Sequence, residues 1–94
     1  MPDPVWHLRF DHKADRSFKK LPDLIQRQIL RYMRDRVIPS GHPQSLGKAL
    51  TGEFKTLWRY RVGDYRLVCR IEKEKLVVLV VAVGHRSSIY KHVF

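Results

Sequence analysis

The stretch "FKTLWRYRVGDYRLVCRI", residues 54–71, alternates apolar and polar side chains on both sides of a Gly63-Asp64 pair. A period of two marks strands with one buried face, and a two-residue loop containing glycine joins such strands as a tight hairpin. Taking Gly63 and Asp64 as that loop pairs Val62 with Tyr65, Arg61 with Arg66, Tyr60 with Leu67 and Arg59 with Val68. Trp58, Tyr60, Val62, Tyr65, Leu67 and Cys69 then share the face that must be covered, while Arg59, Arg61, Arg66 and Arg70 share the other. A polar Glu72-Lys73-Glu74 turn and the run "KLVVLVVAV", residues 75–83, add a third strand. Carried through that turn, the register pairs Ile71 with Lys75 and Arg66 with Val80, and it puts Arg86 on the arginine face at the Gly63-Asp64 end. Scattered solvated arginines are the plain alternative. However, opposed like charges destabilise a sheet unless an anion lies between them, and a guanidinium fork matches phosphate oxygens. The predicted occupant of this face is a phosphate.

Residues 5 to 10 alternate as a first strand, and Asp11 offers a helix N-cap ahead of Ala14, Phe18 and Leu21, which recur on one helix face. Pro22 breaks that helix or starts a second one, with Leu24, Ile25, Ile29, Met33 and Val37 as its apolar face and Arg27, Arg31 and Arg34 on the wetter side. "IPSGHPQSLG", residues 38–47, has no hydrophobic period and is predicted to be a loop. The expected architecture is a single α+β domain over residues 1–94, built from an N-terminal strand, a helical hairpin and a three-strand antiparallel meander.

Composition narrows the partners. Across 94 residues, 19 Lys and Arg stand against 9 Asp and Glu, a net charge of +10. So large an excess on so short a chain favours nucleic acid, an acidic protein or an anionic membrane surface. A spanning helix is excluded because the longest apolar run, Leu76 to Val83, falls far short of roughly 20 residues. The start "MPDPVWHLRF" has no leader-like apolar run, so the expected location is the cytoplasm, with no membrane partner. A lone cysteine, Cys69, excludes an internal disulfide and is expected to be buried. His7, His12, His42 and His92 show no ligand spacing and the carboxylates no pairing suited to two metals, so neither metal nor cofactor is expected.

The tail "GHRSSIYKHVF", residues 84–94, brings different chemistry. His85 can exchange a proton near neutral pH, Arg86 can stabilise a developing oxyanion, and Tyr90 can stack on a base. RNA cleavage by its own 2′-hydroxyl needs little beyond such groups.

"LWRYRVGDYRLV" together with "VGHRSSIY" resembles the RelE/ParE superfamily of bacterial toxins from toxin-antitoxin modules, and the pattern covers nearly the whole chain. The resemblance implies a small RNase-like α+β fold held in check by an acidic, RelB-like antitoxin, with operator DNA bound only through that complex. It also implies one of two activities. RelE-like members are metal-independent endoribonucleases that cut mRNA in the ribosomal A site and so inhibit translation, whereas ParE-like members poison DNA gyrase without nuclease activity. Arg66, Arg86 and Tyr90 match RelE active-site positions. Where RelE has two strand lysines this chain has Leu57 and Arg59, and His85 replaces a third lysine. The resemblance therefore implies a catalytic set of Arg66, Arg86, Tyr90, Arg59 and His85, with Lys55, Arg61, Arg70 and Lys91 along the RNA. Proton abstraction then passes to His85 or to Lys55, or the site works mainly by positioning, with the ribosome supplying order. Arg27, Arg31, Arg34 and Arg36 offer the antitoxin a basic helical surface.

Overall fold

The computed structural model describes residues 5–90. Five strands form one sheet in the order β1 (His7–Phe10), β5 (Val77–His85), β4 (Tyr65–Glu72), β3 (Leu57–Val62), β2 (Lys48–Ala49). The first strand runs parallel to β5, Leu8 opposite Val78 and Phe10 opposite Val80, and the other pairs are antiparallel. A parallel pair needs a long connection. Here the two helices and the hairpin supply it, and the chain covers one sheet face on the way.

Helix α1 (His12–Lys19) starts where predicted, with the Asp11 carboxylate accepting a hydrogen bond from the Ala14 N–H at 2.8 Å. The second helix, α2 (Asp23–Tyr32), follows Pro22 and continues into a wider π turn, Met33–Val37, whose Met33 carbonyl accepts from the Ile38 N–H at 2.9 Å. Ile29, Met33 and Val37 are fully buried against Tyr60, Leu67, Cys69, Val78 and Val80. Leu24 departs from the expected apolar face. It is 57% exposed, because the core contact of this helix begins only at Ile25.

The β3–β4 register matches the sequence reading pair for pair, from Val62↔Tyr65 to Arg59↔Val68. The β4–β5 register does not. Ile71 pairs with Val78 and Arg66 with Gly84, rather than with Lys75 and Val80. Two causes combine. The turn takes in Leu76, which adopts a left-handed φ of 55°, and a bulge interrupts the pairing at Val68/Cys69. Moving Ile71 from Lys75 to Val78 is a shift of three residues and inverts which side chains face the core, so Val80 is buried there. The bulge adds one more residue and inverts them back. Past it, Ala82 and Gly84 lie on the arginine side, and Arg86 reaches the hairpin turn as expected.

Residues 38–47 are not a bare loop. They hold a short helix, α3 (Pro43–Leu46), and lead into β2. The buried Tyr60 hydroxyl donates to the Pro43 carbonyl at 2.5 Å, which ties this segment to β3. Burial pushes the Tyr60 hydroxyl and the Cys69 thiol well above their ordinary ranges, so both stay protonated near neutrality. No helix among the described residues is long and apolar enough to cross a membrane.

Candidate functional site

Cross-strand partners project to the same side of a sheet. The rows Lys48–Arg59–Val68–Ala82 and Arg61–Arg66–Gly84 therefore lie on the face opposite the helices. Two cation pairs sit in direct opposition there, Lys48 with Arg59 and Arg61 with Arg66.

The C-terminal segment folds over the same face. A Cβ placed on Gly84 would point to the side of Arg66, its partner, and would lie 3.4 Å from Ile89 Cδ1. Ile89 is 2% exposed, so this contact pins the segment against β5. The Arg86 N–H donates to the Asp64 carbonyl at 2.7 Å, and Arg86 Nε lies 3.6 Å from Asp64 Oδ1. Arg86 is thereby held at the hairpin turn.

Arg66 reaches the same turn from below. Its Nη1 donates to the Gly63 and Tyr65 carbonyls, both at 2.9 Å. Two of five guanidinium N–H groups are thus spent on orientation. The Nε and Nη2 edge remains as a fork suited to two phosphate oxygens. Arg59 is half-buried, and its Nε has no hydrogen-bond partner among the described residues. A buried donor left without a partner costs about 1–3 kcal/mol, a cost that a bound anion removes.

His85 pairs with Tyr65 at the end of β5, and their rings meet edge-on with centroids 5.5 Å apart. Its Nδ1 lies 2.8 Å from Ser87 Oγ and accepts the Ser87 backbone N–H at 3.1 Å. Both contacts engage Nδ1 with Ser87 and leave Nε2 as the ring nitrogen without a local partner of this kind among the described residues.

The expected residues divide by position. Arg59, Arg61 and Arg66 share one face with Arg86 at its Gly63-Asp64 end, whereas His85 pairs with Tyr65 and lies on the other side of the sheet at that end; Tyr90 follows Ile89 in the segment packed on Gly84. Lys55 follows a single 3₁₀ turn, Gly52–Phe54, before β3 begins, and Arg70 pairs with Leu57; both stand at the opposite end of the hairpin. Lys91 lies outside the described residues, as does His92. The sequence reading missed Lys48, Asp64 and Ser87. A two-residue strand carries no periodicity, so nothing announced Lys48, whereas the His-x-Ser spacing of residues 85–87 was a local signal for Ser87. No group of three or more His, Cys, Asp or Glu able to hold a metal occurs among the described residues.

Residues 8–90 match the profile described as ParE toxin of type II toxin-antitoxin system, parDE. Toxin RelG of Mycobacterium tuberculosis is 33% identical over 84 residues, which cover 89% of this chain and 94% of that one. The toxin-antitoxin complex RelBE2 from the same organism contains a chain of similar structure. Its TM-score is 0.79 at 30% identity, over 88% of this chain and 100% of that chain. The isolated E. coli RelE toxin shares the fold, with a TM-score of 0.69 at 24% identity over 97% of this chain and 100% of that one.

Proposed function

Because this chain belongs to the ParE toxin family of type II toxin-antitoxin systems, we propose that its arginine face is an active site that cuts mRNA on the ribosome. The chain is a toxin of the RelE/ParE superfamily. The reading rests on one observation above all: Arg59, Arg61 and Arg66 share a sheet face with Arg86 at its turn.

In this reading the 2′ oxygen of the bound RNA attacks the adjacent phosphorus, and the bond from phosphorus to the 5′ oxygen breaks. Arg66 holds the phosphate through its Nε and Nη2 edge. Arg86 stabilises the charge that builds on the phosphorane and on the departing 5′ oxygen. Tyr90 stacks on a displaced base, while His85, paired with Tyr65 on the other side of the sheet, takes no part at the phosphate. With Nδ1 of His85 engaged and Lys55 remote, no side chain among the described residues is placed to take the 2′ proton. That proton passes to water, the departing oxygen takes one from water, and rate comes from positioning and charge. The product is a 2′,3′-cyclic phosphate. No metal ion or cofactor takes part.

The partners in this reading are the ribosome, its mRNA and an acidic antitoxin of the RelB type. The exposed Arg27, Arg31, Arg34 and Arg36 supply a basic helical surface for the last. Cytoplasmic action follows from those partners.

A gyrase-poisoning activity without nuclease chemistry is the second reading, favoured by the match to a ParE profile. Regulated expression separates the two. Transcript ends mapped during growth arrest should show cuts at fixed positions within codons. Intact transcripts with a supercoiling defect, unchanged by Arg86→Ala, would establish the second reading instead.

A further inference from the structure

The open end of β3 forms a second cationic recess. Edge strand β2 pairs only with Trp58 and Arg59 and stops at Lys48. In a two-residue hairpin Val62 and Tyr65 exchange both ladder bonds, so the backbone N–H and C=O of Arg61 point outward, away from β4. With β2 already ended, that edge is left open. The space beside it is a cavity of about 260 Å³ lined by Tyr32, Leu46, Gly47, Lys48, Arg59 and Arg61.

Three observations give the recess its chemistry. Lys48 and Arg59 are direct cross-strand partners, an opposition of like charges that is unfavourable unless something negative lies between them. None of Lys48, Arg59 and Arg61 forms an ion pair with a carboxylate among the described residues, although Lys19, Lys75 and Arg86 each do. The buried Arg59 Nε lacks a partner there as well.

We infer that this recess is a second phosphate site, made by Lys48, Arg59 and the outward edge of Arg61, which holds an RNA backbone phosphate neighbouring the scissile one. It rests on the proposed nuclease reading for the direction of the RNA. The Arg59 row lies two residues, about 6.6 Å, along β3 from the Arg61–Arg66 row. That distance is comparable with one nucleotide step, so a strand gripped at Arg66 runs on toward Lys48. The Tyr32 ring at the rim offers a surface for a base or sugar. A phosphodiester presents its two non-bridging oxygens to a lysine and a guanidinium together, and an RNA strand held at Arg66 brings one to this position.

The test is a titration of the full chain with a short 2′-O-methyl oligoribonucleotide, which lacks the attacking hydroxyl and cannot be cut. Amide shifts should move at Gly47, Lys48 and Arg61 as well as near Arg66. Lys48→Ala should abolish the first set and lower the slope of log K against log salt by about 0.7, the loss of one single-strand phosphate contact. Shifts confined to residues 63–66 and 85–90, with an unchanged slope in Lys48→Ala, overturn the inference. An acidic peptide that shifts Gly47, Lys48 and Arg61 when the oligonucleotide does not also overturns it. Since no bond is cut, the two readings fail separately. Oligonucleotide binding at Lys48 with intact transcripts in cells would keep this site and end the nuclease reading, and cleavage with no dependence on Lys48 would do the converse.

Discussion

Replacing Arg86 by alanine removes a side chain whose structural and catalytic contributions differ widely in size. The side chain is 63% exposed, and its ion pair, at 3.6 Å, is with an Asp64 side chain that is 67% exposed. Screened by solvent, such a pair contributes about 0–1 kcal/mol, and a surface substitution of this kind moves stability by less than about 0.5 kcal/mol. The Arg86 N–H bond to the Asp64 carbonyl is backbone and survives the change. Against that, removing one donor aimed at charge developing in a transition state costs about 10²–10³ in rate. Arg86→Lys keeps a point charge without the fork and should fall between wild type and alanine. Urea unfolding midpoints and cleavage rates on programmed ribosomes, measured on the same preparations, give the comparison. An unchanged midpoint with a hundredfold or greater loss in rate is expected. A variant that unfolds like wild type and cuts at the wild-type rate refutes the assignment of Arg86 to the transition state.

Three further outcomes follow from the same geometry. Tyr60→Phe leaves the Pro43 carbonyl without its donor and should cost about 1–3 kcal/mol, read as a lowered melting temperature, with the segment from α3 to β2 loosening first in hydrogen exchange. Stability should fall in alkali: Cys69 and Tyr60 both have folded-state pKa values raised by burial, so their contribution is complete below their unfolded values and is lost as pH rises beyond them. Unfolding midpoints should therefore drop above about pH 9, less steeply in Cys69→Ala, and a flat profile in wild type would contradict the burial of both groups. Nitrogen-15 spectra of neutral His85 should show hydrogen on Nε2, with Ser87→Ala leaving that preference weaker; a ring protonated at Nδ1 would contradict the contact from the Ser87 N–H.

Much of this arrangement was legible in residues 57–71. Strict alternation on both sides of Gly63-Asp64 fixed the hairpin register, and with it the arginine face, because any one-residue slip would have exposed Tyr60 and Leu67. Asp11 and Pro22 marked the helix starts for equally local reasons. What stayed hidden was non-local. The parallel pairing of β1 with β5 leaves no trace in either strand, and the run Val77 to Val83 is too uniformly apolar to reveal its register. The bulge at Val68/Cys69 was invisible as well, yet it offset the error made at the Lys73–Leu76 turn, so Arg86 came to its expected place through two compensating departures. The placements of Lys48 and of His85 Nδ1 depend on single contacts to Arg59 and Ser87, which no period encodes.

The most direct test of the whole account uses ribosomes programmed with two transcripts that differ only by a 2′-deoxy sugar at the expected cleavage position in the A site. The account predicts that the purified protein cuts the all-ribose transcript, leaves a 2′,3′-cyclic phosphate and spares the 2′-deoxy transcript. Cleavage of the 2′-deoxy transcript, or survival of both, would contradict it.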